Sequence, residues 1–166
     1  MMKETTPPLL LETHFFTKVI VEANPDYDPG EIGETSGKIK TNVEVGQNKD
    51  DPRRWRVILI LQAQSKDKIP YKIELECVGF FKVGPEVEEG KMGHLVRANG
   101  AAILYSSARE FLLLVTGRGP WDPFYLPTTN FLAPPKPKRS AATGAKKRKI
   151  GDSATIHQTK ENQGKT

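Results

Sequence analysis

Four segments of this chain alternate apolar and polar residues with period two, and no other feature constrains the fold as tightly. From Leu9 to Ala23 the odd positions read Leu9, Leu11, Thr13, Phe15, Thr17, Val19 and Val21, with Glu12, His14, Lys18 and Glu22 between them. Ile39, Thr41, Val43 and Val45 alternate with Lys40, Asn42 and Glu44. Trp55, Val57, Leu59 and Leu61 repeat the pattern against Arg54, Arg56 and Gln62, and Tyr71, Ile73, Leu75 and Cys77 against Lys72, Glu74 and Glu76. Successive side chains of a strand point to opposite faces, so this alternation predicts four half-buried strands of an antiparallel sheet. Asp50-Asp51-Pro52 and Lys66-Asp67-Lys68 supply turn chemistry, which makes the second to fourth strands a meander of hairpins. Asn24 to Lys38, with two prolines and three glycines, is too long for a hairpin and predicts a crossing of the sheet.

After Phe81 the period changes. Gly84-Pro85 ends the strand, and from about Glu86 to Val115 apolar residues recur at three- and four-residue spacings (Leu95, Ile103, Leu104, Phe111, Leu112, Val115). Asn99-Gly100 predicts a kink or division in that helix, and Gly117-Arg118-Gly119-Pro120 its end. Trp121 to Leu132 cannot be a regular helix, with Pro123 and Pro127 inside it, and its aromatic residues should pack over something. The fold class is therefore α+β: a four-stranded antiparallel sheet followed by a long, kinked helix. One helix covers only one face of such a sheet. Phe16, Ile20, Ile58, Ile60, Val78 and Phe80 fall on the other, even-numbered face, which predicts oligomerisation or an exposed binding groove.

Composition matters chiefly for where the charge lies. The chain has 25 Lys plus Arg against 20 Asp plus Glu, a formal charge of +5. Residues 133–166 hold nine basic and two acidic residues, a net of +7, so residues 1–132 are left at −2. The apolar residues of the tail are five alanines and two isoleucines, too few to offset the entropy of ordering it. We read 1–132 as one domain and 133–166 as a disordered basic tail. Lys146, Lys147, Arg148 and Lys149 form a run able to contact nucleic-acid phosphates or serve as a nuclear address, though such runs are common on solvated tails.

The residues present no catalytic constellation. His14, His94 and His157 lack metal-ligand spacing with one another or with Cys77, and Gly84, Gly90 and Gly93 form no phosphate loop. Glu86, Glu88 and Glu89 suit the positive end of a helix dipole, and Cys77 alternates with core positions. We expect no enzyme activity, no metal and no cofactor. A single cysteine suits a reducing compartment, no apolar run approaches a membrane span, and Met1 to Pro8 lacks a signal-peptide layout. The expected location is the cytoplasm.

Ile103-Leu104-Tyr105-Ser106-Ser107-Ala108-Arg109-Glu110, then Arg118-Gly119, then Leu126-Pro127-Thr128-Thr129-Asn130-Phe131 resembles the SecB export chaperone family. Phe16-Thr17-Lys18 and Gly79-Phe80-Phe81 are similar as well, and the likeness runs from about Leu9 to Leu132. The resemblance implies an ATP-independent holdase for unfolded polypeptides, a homotetramer built as a dimer of dimers that hands export clients to the SecA motor. It implies client contacts at Tyr27, Ile39, Val43, Val45, Phe124, Leu126 and Phe131, a motor contact at Glu74, and oligomer contacts at Ile103, Leu104 and Tyr105. Three features depart from the exporters. Ala133-Pro134-Pro135 follows where the family continues into a lid helix, Val19 stands where it has an aspartate, and the tail is basic rather than acidic. Relatives that protect an antitoxin in toxin–antitoxin systems are therefore the alternative, beside a nucleic-acid adaptor acting through the tail.

Overall fold

The computed structural model describes residues 7–30, 39–64 and 69–132. Four strands come first: β1 (Leu9–Ala23), β2 (Lys40–Gln47), β3 (Arg54–Ala63) and β4 (Tyr71–Val83). Helix α1 (Glu89–Leu95) follows, then a π-helical turn (Val96–Gly100) and helix α2 (Ala101–Thr116). The strands pair antiparallel in the order β1-β4-β3-β2. The meander of β2, β3 and β4 is thus as expected. Because β1 lies beside β4, the chain after Ala23 must reach the opposite edge before β2 begins, which is why the first connection is long. The basic tail lies outside the described residues.

One face of the sheet carries the core. Val57, Leu59, Leu61 and Ala63 of β3 and Tyr71, Ile73, Leu75, Cys77, Phe81 and Val83 of β4 are buried there. Met92, Val96, Leu104, Ala108 and Leu112 cover them from the helical side. The expected break at Asn99-Gly100 is a single π turn, an expanded turn that re-aims the helix without ending it. Glycine is required here by proximity. A Cβ on Gly100 would stand 3.0 Å from Val57 Cγ2, and one on Gly79 would stand 2.8 Å from both Leu104 Cδ2 and Phe81 Cε2. The helix can therefore approach the sheet closely only where both elements lack side chains.

Strict alternation fails in β1. Its register against β4 shifts between Leu11 and Thr13 and again between Phe16 and Lys18, and each β-bulge adds a residue that reverses the faces beyond it. Leu9 and Leu11 face the core, but past the first bulge it is Phe16 that turns inward, its ring 4.7 Å from that of Phe111. Phe15 turns outward and pairs with Phe80 at 6.3 Å. The expectation that Phe16 belongs to the outer face is thus corrected, with Phe15 in its place. Past the second bulge Val19 pairs opposite core-facing Leu75, yet 47% of its surface is exposed because the helix does not reach this part of the edge strand. Ile20, Ile58, Ile60, Val78 and Phe80 do lie on the outer face.

Close approach at Gly79 has a direct consequence. Gly79→Ala should lower the free energy of unfolding by about 1–3 kcal/mol through overpacking. Gly90→Ala, where nothing lies within 4 Å of the added carbon, should be neutral or stabilising by up to about 1 kcal/mol. Urea denaturation of the two variants measures the difference.

Candidate functional site

A buried polar cluster anchors three separate segments at one end of the core. Asn24, 5% exposed, donates from Nδ2 to the Ile69 carbonyl, and its N–H donates to the Pro70 carbonyl. The Asn24 carbonyl in turn accepts from the Trp121 indole at 3.1 Å and from the Tyr27 N–H at 3.3 Å. Tyr71 receives the Trp121 N–H at 3.2 Å, and its hydroxyl proton is directed to the Trp121 and Thr116 carbonyls at 2.9 and 3.1 Å. Thr116, 1% exposed, donates to the Leu112 carbonyl and accepts from the Phe124 N–H. The end of β1, the two residues before β4, and the end of α2 with the segment that follows it are thereby held together.

The cluster positions Tyr27, one of the side chains predicted for client contact. Tyr27 lies edge-on to Trp121 with ring centroids 5.4 Å apart. Ile39, Val43 and Val45 sit half-buried along β2, packed against the core from an edge strand. The Val43 carbonyl accepts from Arg97 at 3.3 Å, which ties that edge to the π turn. Phe131 meets Tyr105 edge-on at 5.5 Å, and the Tyr105 hydroxyl donates to the Pro127 carbonyl at 2.7 Å. The extended segment from Trp121 to Leu132 therefore runs over the core, as its aromatic content required.

Phe124 and Leu126, also predicted as client contacts, are placed differently from Tyr27 and the β2 residues. They are 6% and 5% exposed and belong to the core itself, because an extended segment sends alternate residues inward. Tyr125 between them is 71% exposed, and Leu132 is 61% exposed. Sequence reasoning missed both, although period two within Phe124-Tyr125-Leu126 was the available signal. Leu104 and Tyr105, predicted as oligomer contacts, are likewise buried. At 0% and 4% exposure their side chains are used inside the subunit, whereas Ile103 is exposed along with Leu114 and Val115.

Glu74 is on the outer face, the one away from the helices. The Lys18 ammonium bonded to it, with help from Lys72, holds its carboxyl below the usual carboxylate range. Lys72 is raised by its hydrogen bond and charge interaction with Glu22. Lys146, Lys147, Arg148 and Lys149 lie outside the described residues. Cys77 is buried, and desolvation pushes its thiol from 9.0 up to about 11, so it is a poor nucleophile. His14 Nε2 lies 2.8 Å from Ser107 Oγ and links β1 to α2. None of the described helices is long and apolar enough to cross a membrane.

A sheet with one helix-covered face, an apolar edge strand and an extended aromatic segment defines a protein built to leave apolar surface in contact with solvent, as polypeptide-binding chaperones do. The chain belongs to the SecB family: residues 4–134 match the family described as preprotein translocase subunit SecB. A protein-export protein SecB of Idiomarina loihiensis is 27% identical over 95 residues, which cover 56% of this chain and 57% of that protein. The chain thus matches little more than half the length of that relative. Among solved structures, a SecB-like chaperone of Mycobacterium tuberculosis in complex with an antitoxin peptide superposes with a TM-score of 0.48 at 16% identity, covering 78% of this chain and 94% of that one. A Streptococcus agalactiae protein of unknown function gives 0.40 at 18% identity, covering 72% and 97%.

Two measurements probe this end of the core. Tyr71→Phe leaves the Trp121 N–H without its acceptor and should cost about 1–3 kcal/mol in urea denaturation. Cys77 gives a pH signature. Its raised thiol stabilises the fold below pH 9, and that stability is lost as pH rises toward about 11. The wild type should lose on the order of 2 kcal/mol more than Cys77→Ala between pH 8 and pH 11.

Proposed function

We propose that this protein is a non-enzymatic, ATP-independent holdase of the cytoplasm that binds unfolded polypeptides, with preproteins destined for SecA-dependent export as its clients. The observation that carries this reading is the line of half-buried apolar side chains, Ile39, Val43 and Val45, on a strand that is paired on one side only. An unfolded chain offers apolar side chains together with unpaired backbone groups. An edge strand with an apolar face complements both without requiring a particular sequence. Tyr27, Trp121, Phe131 and the exposed Tyr125 extend the apolar contact. Phe124 and Leu126 support it from beneath.

In this reading residues 1–132 are the chaperone domain and the basic tail is accessory. Assembly is a tetramer formed as a dimer of dimers, with Ile103 and Leu114 on the exposed side of α2 among its contacts. Glu74 is the candidate contact for the motor. Protection of an antitoxin is the second reading, favoured by Val19. This exposed apolar residue stands where the exporters have an acidic motor contact, so motor docking loses one charge while client holding loses nothing.

At stoichiometric amounts the protein should suppress light scattering by a chemically unfolded client. Val43→Asp with Val45→Asp should raise the amount needed by about tenfold or more at a temperature where circular dichroism shows the variant still folded, since both side chains also pack against the core. Removal of residues 133–166 should leave protection intact. Failure of the wild type to suppress aggregation would overturn the holdase reading, and multi-angle light scattering showing a monomer would overturn the tetramer.

A further inference from the structure

The outer face of the sheet carries a second feature, far in character from the apolar edge. Cross-strand register places Arg54 directly opposite Lys82 and Arg56 directly opposite Phe80, all on this face. Like charges directly opposite one another weaken a sheet, so Arg54 beside Lys82 calls for compensation. Arg54 is neutralised by Glu12, at 3.3 Å from the first bulge of β1, and by Asp51 at 3.6 Å. Arg56 and Lys82 have no ion-pair partner among the described residues. Among the described residues, two unpaired cations therefore remain at this end of the face.

Arg56, with Glu12, Gly46, Arg54 and Phe80 among others, lines a concavity of about 410 Å³, and Lys82 stands two residues beyond Phe80 on β4. Gly46 pairs with Arg56 and has nothing within 4 Å of where a side chain would start, which keeps this corner open. Immediately beyond lies an apolar row. Phe15, 47% exposed, pairs with Val78, which pairs in turn with Ile58, and Phe80 is 38% exposed above them. Cations and aromatic surface are thus adjacent on a rigid strand framework.

We propose that this pocket docks an acidic, aromatic-containing segment of a partner protein, with a carboxylate on Arg56 and an apolar side chain against Phe80 and Phe15, while Lys82, outside the lining, adds to the positive field at its margin. Charge complementarity selects the occupant. The chain's own tail, with nine basic and two acidic residues, is repelled by these cations. A nucleic-acid backbone would need a run of cations, whereas here Glu12 sits within the pocket and three apolar residues fill the adjoining row. A carboxylate bound by a guanidinium can take a bidentate geometry, and the neighbouring rings bury the apolar remainder. The site is on the opposite face from the apolar groove, so both can be filled at once.

The test is fluorescence anisotropy of the full chain with a labelled synthetic peptide that alternates aspartate and phenylalanine. Arg56→Glu with Lys82→Glu should weaken binding by about tenfold or more, Arg56→Lys should stay within about threefold, and affinity should fall as salt rises. Val43→Asp with Val45→Asp should leave this affinity unchanged. Thermal melts matching wild type establish that the charge-reversed chain folds. Binding that ignores the charge reversal, that is lost instead with the β2 substitutions, or that single-stranded RNA of equal length displaces would overturn the proposal.

Discussion

Everything in this structure depends on one helical rod covering one face of a four-stranded sheet. The rod lies over the middle strands, so β3 and β4 bury every second residue completely, while β1 and β2 stay half exposed along most of their length. Burial of apolar surface is roughly proportional to area, and the core beneath the rod supplies most of it. What the rod does not reach stays open among the described residues: two edge strands paired on one side and one uncovered face.

Close approach of the rod is made possible by two glycines that face each other through Phe81. Gly79 on β4 and Gly100 at the π turn leave space that Leu104, Val57 and the Phe81 ring fill. The π turn does more than accommodate an unfavourable residue pair. It redirects the helix and brings Arg97 to the Val43 carbonyl, which ties the rod to the apolar edge strand. At the other end of the core, Asn24, Tyr71 and Thr116 hold the start of the crossover connection and the segment after α2. The half-buried apolar side chains of β2 and of the segment after α2 thus lie between two anchors, one polar and one formed by packing.

The two faces of the sheet offer different chemistry. The helix side presents aliphatic and aromatic contact of low specificity, suited to chains with no fixed structure. The outer side mixes fixed charge with a small aromatic row, and fixed charge discriminates between partners more sharply than apolar area does. At one end Lys18 and Lys72 pair with Glu74 and Glu22, and that end is largely neutralised. At the other, Arg56 and Lys82 are left over.

Period-two alternation alone determined the four strands, and the loss of that period determined the helix, because strand and helix side chains repeat at different intervals. The turn signals determined the meander, and Asn99-Gly100 marked the π turn. Tertiary structure decided what counting along the chain cannot. The two bulges in β1 exchange Phe15 and Phe16 between faces, since an extra residue in one strand is visible only against its partner. Leu104, Tyr105, Phe124 and Leu126 share residue types with binding surfaces, and only packing shows that the core uses them while Ile103 and Tyr125 are left outside. The opposition of Arg54 to Lys82 is likewise a property of register, because residues 28 positions apart become neighbours only when two strands pair.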